Sequence, residues 1–109
     1  MSEDEIYLQI GEILLGTAPN SAVEVIVEAE LSPEDDHCQL LFDYIDGQGK
    51  KDWFSPSSGY VDVGLLKNLV ELRKIYKESG KTAGLPIWSG CTIALDVVVA
   101  KLAIVFKYD

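Results

Sequence analysis

Between Ala22 and Leu31 apolar and acidic side chains alternate: Val23, Val25, Val27, Ala29 and Leu31 interleave with Glu24, Glu28 and Glu30. That period of two predicts a strand with one buried face and one wet face, and it puts the glutamates together on the wet one. A second run of this kind, 38–45, sets Asp43 among Leu40, Phe42 and Tyr44. Ser32-Pro33 closes the first strand. Asp46-Gly47-Gln48-Gly49 turns the second into a short third strand at 50–54, the glycines supplying the positive φ that a tight turn requires. Three strands with short connections predict an antiparallel meander.

Two stretches change period. Ile6, Ile10, Ile13 and Leu14 recur on one side of a 3.6-residue repeat, and Ser2 followed by Glu5 has the spacing of a capping box, so a helix is predicted over 3–15. Gly16 is its expected stop, and Pro19-Asn20 the turn into the first strand. A second helix is predicted over 61–78, burying Leu65, Leu69, Leu72 and Tyr76, with Lys67/Glu71 and Lys74/Glu78 on its outer side and Gly80 as its end. The cluster Ser55-Pro56-Ser57-Ser58-Gly59 before it breaks the chain but is too short for an interdomain linker. After a loop at 81–86, strands are predicted at 88–98 and 102–108. The order α-β-β-β-α-β-β predicts a single α+β domain over 1–109: a two-layer sandwich in which an antiparallel sheet of about five strands carries both helices on one face.

Charge adds a second pattern. The 109-residue chain has a net charge of -9, with 12 acids and no Lys or Arg in residues 1–49, and 6 acids and 9 basic residues in 50–109. The two parts therefore carry -12 and +3. An acidic half of this kind repels phosphate, so nucleic acid is not an expected partner, and a basic protein is. Asp96 and Lys101 interrupt the apolar run 91–106, leaving it short of a membrane span. Cys38 and Cys91 sit in apolar strand patterns with no signal peptide ahead of them, which predicts reduced thiols and a cytoplasmic location.

The search for catalytic chemistry yields little. Glu34-Asp35-Asp36-His37-Cys38 offers every common metal-ligand type, but neighbours in a turn point in different directions, and metal sites gather ligands from defined spacings or separate elements. A solvated turn is the better reading. His37 is the only histidine, no glycine-rich elbow surrounds a serine, and the Asp46 loop lacks the alternating ligands of a calcium loop. No pair of carboxylates stands out as a glycosidase pair. No cofactor and no metal are expected, and the chain reads as a non-enzyme. Trp88 is expected in the core. Trp53, in a short strand beside the acids, could face outward as an aromatic anchor, and Tyr60 is similarly open.

The order of elements, the helix from Ile6 to Leu15, Phe42-Asp43-Tyr44 ahead of Asp46 and Gly47, the Leu69, Leu72 and Arg73 pattern, Gly84 to Trp88 and the closing Phe106-Lys107-Tyr108-Asp109 resemble the YezG-like immunity proteins, small bacterial antidotes to polymorphic or contact-dependent toxins. At the last hairpin the chain departs from that family, with Val97-Val98-Val99-Ala100-Lys101 where a polar Gly-Lys turn is expected, so the register of the final strand is left open. The resemblance implies a cytoplasmic inhibitor that binds a cognate toxin domain, often a nuclease. Combined with the charge pattern, the expected partner-binding residues are Glu24, Glu28, Glu30, Glu34, Asp35, Asp36, Asp43, Asp46 and Trp53. The rival expectation is a small acidic secretion or folding chaperone or adaptor.

Overall fold

A computed structural model of the chain describes residues 2–56, 58–79 and 87–108. Its elements are α1 (Glu3–Thr17), β1 (Ala22–Leu31), β2 (Cys38–Asp46), β3 (Lys51–Trp53), α2 (Gly59–Ser79), β4 (Gly90–Asp96) and β5 (Lys101–Lys107). They form the expected five-stranded antiparallel sheet, open and in the spatial order β3-β2-β1-β4-β5. The expected Gly80 stop and the loop at 81–86 lie outside the described residues.

One face of the sheet is buried under both helices. Val25, Val27, Ala29 and Leu31 of β1 join Phe42, Cys91, Ile93 and Leu95 from its neighbours, and Ile6, Ile10, Leu14, Leu65, Leu69 and Leu72 press on them from the helices. Each of these larger side chains contributes about 1.5–3 kcal/mol by leaving water. Trp88 is fully buried as expected and stacks at a tilt against Phe106, 4.8 Å between ring centres.

The boundaries differ from expectation at the end of α1 and at the last hairpin. The Ser2 cap of the expected capping box forms, with the Glu5 amide donating to Ser2 Oγ at 3.2 Å and that hydroxyl donating to the Glu5 carboxylate at 3.3 Å. The helix then runs through the exposed Gly16 to Thr17 and stops where Ala18, ahead of Pro19, becomes extended. At the last hairpin Asp96 settles the register left open by sequence. Its carboxylate accepts from the amides of Val98 and Val99 at 3.0 and 3.2 Å, so Val97–Ala100 become a turn and Asp96 pairs with Lys101. Ala100 takes a φ of 55° there.

Cys38 and Cys91 flank β1 on opposite sides, opposite Leu31 and Ala29, so two strand spacings and a two-residue offset put them about 12 Å apart, too far for a disulfide. Both are free thiols, and burial pushes that of Cys91 up to about 12.

Gly90 marks the tightest backbone approach, since a Cβ there would lie 2.4 Å from the Ala29 carbonyl oxygen. Gly90→Ala is expected to cost roughly 1–3 kcal/mol in urea unfolding, because backbone and not a flexible side chain must move. Ala100→Gly should act in the opposite sense, by about 0.5–1 kcal/mol, since glycine holds a positive φ without strain.

Candidate functional site

The second face of the sheet is covered by no described element. β1 contributes Glu24, Ile26, Glu28 and Glu30 to it, and the pairing fixes what stands beside each. Glu24 lies between Ile45 and Asp96, Glu28 between Leu41 and Thr92, and Glu30 between Gln39 and Gly90. Asp43 lies between Ile26 and Trp53. No lysine stands directly opposite any of these glutamates in the register.

Lysines border the face instead. Lys51 on β3 and Lys101 and Lys107 on β5 occupy its two rims. With Asp96, five carboxylates stand against three ammonium groups, a net of -2 on this face, and Lys107, opposite the side-chain-free Gly90, lines one pocket with Glu28 and Glu30. Among the described residues, none of Glu24, Glu28, Glu30 and Asp43 closes an ion pair. Glu28 and Glu30, two residues apart and about 6.8 Å along the strand, repel by only about 0.6 kcal/mol in water.

Apolar groups share the face. Trp53, directly across from Asp43 on β3, is 72% exposed, and Leu41, two residues before Asp43 on β2, is 55% exposed. Leu41 was legible in the sequence, because it precedes Asp43 by two and so shares its side of the strand. The lysine rims were not, because they depend on the β2–β3 and β4–β5 registers.

The remaining expected site residues do other work. Asp35, at a φ of 61°, turns inward and pairs with Arg73, whose side chain is 3% exposed. Arg73 Nε donates to Asp35 at 3.0 Å, and its Nη2 donates to the Ser32 carbonyl at 2.5 Å. The guanidinium thus anchors the β1–β2 turn on α2, a role that the sequence pattern did not reveal. Asp46 closes the next hairpin by accepting from the amides of Gln48 and Lys50 at 2.9 and 3.0 Å. Asp36 accepts from Ser32 Oγ at 2.8 Å and lies 2.8 Å from His37 Nδ1. Only Glu34, exposed in the same turn, is left clear for a partner, and it stands beyond the end of the sheet rather than on the open face.

No protein-family model matches this chain, and no curated protein sequence matches it either. The likeness to the YezG-like immunity proteins thus rests on the residues quoted for it, and of these Phe42, Leu69, Leu72 and Trp88 are buried core. Among the described residues, no helix is long and apolar enough to cross a membrane.

Ser32 Oγ, followed by His37, holds the Asp36 carboxyl below its ordinary value of 3.8. A depressed carboxyl stabilises the folded turn above the unfolded value, and that support fades as pH falls through the lower, folded value. In an NMR titration the Asp36 midpoint is expected below 3.8 and should return toward 3.8 in Ser32→Ala.

Proposed function

We propose that this protein is a non-enzymatic antidote that captures a basic toxin domain in the cytoplasm, docking it on the open face of the sheet. The observation that carries the reading is the placement of exposed Trp53 and Leu41 next to Asp43, one across the strand pair and one along β2, with Glu28 and Glu30 alongside. An aromatic ring supplies the area that a stable contact needs, and surrounding carboxylates select a cationic surface. The resemblance to immunity proteins supports the same reading from a different direction.

The mechanism has two steps. Carboxylates concentrated on β1 and β2 attract a cationic surface and speed encounter. Trp53 and Leu41 then exclude water at the contact, where carboxylates stand in the places that nucleic-acid phosphates take in a nuclease cleft. Because Lys101 and Lys107 border the β5 side, the footprint lies toward β2 and β3. Asp35 and Asp46, occupied in turns, fall outside it, as does the internally bonded Asp36.

The test is association of the purified protein with a toxin domain encoded beside its gene, followed at low and at high salt. Glu28→Lys, Glu30→Lys and Asp43→Lys together are expected to slow association by about tenfold or more at low salt, with the gap narrowing as salt is added. All three positions are on the open face, so the urea midpoint should hold. Equal association rates for the variant and the parent at low salt would remove the mechanism.

A further inference from the structure

The two edges of the sheet are defended differently. In β5 the backbone groups of Leu102, Ile104 and Phe106 point outward. The Leu31 N–H bond to the Ser89 carbonyl turns the odd-numbered residues of β4 toward β1 and the even-numbered ones toward β5, where they exchange bonds with Lys101, Ala103, Val105 and Lys107. Lysines stand at both ends of that strand, Lys101 and Lys107, the usual guard of an exposed edge. At the other edge, β3 is three residues long and covers only the second half of the nine-residue β2.

The direction of the uncovered backbone follows from the bonds around it. Phe54 N–H donates to the Phe42 carbonyl at 3.1 Å and Asp46 N–H to the Lys50 carbonyl at 3.0 Å, so even-numbered residues of β2 face the β3 side. Cys38 and Leu40 therefore direct their amides and carbonyls into the gap beyond Phe54, where no described strand pairs with them. A groove of about 400 Å³ opens at this place, with Leu40, Leu41, Trp53 and Pro56 as apolar walls. Its charged lining is Asp43 and Asp62, with no Lys or Arg among the described residues that form it.

We infer that this gap is a strand-addition site for an extended basic segment of the partner. The segment continues the line of β3, exchanges backbone hydrogen bonds with Leu40, places an apolar side chain between Trp53 and Pro56, and sets cationic side chains against Asp43 and Asp62. Unpaired strand groups supply the affinity, and the groove selects alternate side chains. Like charge on the lining excludes an acidic segment. The inference deepens the reading of the protein as a captor of a basic partner and rests on it.

An alternating Lys-Val octapeptide serves as the probe, beside its analogue N-methylated on every second amide so as to block the bonding edge, and an alternating Glu-Val octapeptide. With 15N-labelled protein, the Lys-Val peptide is expected to shift the Leu40 and Phe42 amides and slow their exchange with solvent. The N-methylated analogue and the Trp53→Ala and Asp62→Lys variants should each weaken binding by about tenfold. Equal binding of the N-methylated peptide, with shifts confined to Glu24, Glu28 and Glu30, overturns strand addition while leaving capture by the open face standing. Absence of binding by the Lys-Val peptide overturns strand addition as well, and capture by the open face is then decided separately by the toxin-domain association rates. Tighter binding of the Glu-Val peptide overturns the charge assignment of the groove.

Discussion

A slip of β1 by one residue against either neighbour would turn Val25, Val27, Ala29 and Leu31 to water and drive Glu28 and Glu30 under the helices. The first loss alone removes several side chains at about 1.5–3 kcal/mol each, and the second buries unpaired carboxylates, which costs more. β1 is the central strand and pairs along nearly its whole length on both sides, so its register propagates to β2 and β4 and through them to the edges. The positions of Asp43, Leu41 and Trp53 on the open face are consequences of that single constraint. Alternation in β1 is thus at once the device that folds the sheet and the device that assembles the candidate surface.

Most of the architecture was legible because it is written in local period. β1 begins and ends at the residues its alternation predicts, and α1 starts at the Ser2 cap. What the sequence could not show depends on partners distant in the chain. Arg73 reads as one more cation on a helix, and only tertiary contact shows it buried against Asp35, 38 residues earlier. Likewise Asp35, Asp36 and Asp46 look like free acids in a charge count, whereas a turn uses their oxygens to hold amides, a hydroxyl or a guanidinium. Loops are where backbone groups lack ladder partners, so short acids there are drawn into structural bonds first. The acids that alternate along strands have no such local use.

That distinction narrows what charge can contribute. Repulsion between Glu28 and Glu30 amounts to a few tenths of a kcal/mol once screened, so their juxtaposition costs too little to demand a function by itself. Acidic, uncovered strands also keep a sheet from stacking on another sheet. Exposed Trp53 and Leu41 do not fit that protective role, since each adds apolar area at the place where protection would call for a charge. The combination of Trp53, Leu41 and Asp43 therefore carries more weight than the net charge of -9.

The asymmetry of the two edges follows the same logic. A seven-residue edge such as β5 offers outward groups on Leu102, Ile104 and Phe106, and lysines at its ends discourage pairing with another strand. β2 carries no equivalent guard at Cys38 and Leu40, although in the same register three more residues of β3 would have covered Leu40 and five would have covered Cys38 as well. The chain instead leaves the sheet at Phe54 and passes through Pro56, which has no amide to donate and resists continuing the ladder. Because the departure exposes both unpaired backbone and the Trp53 ring, it joins the open face and the free edge into one surface. A partner that reached across both would meet fixed carboxylates on the face and a directional hydrogen-bonding template at the edge, so its charge and its backbone conformation would be selected together.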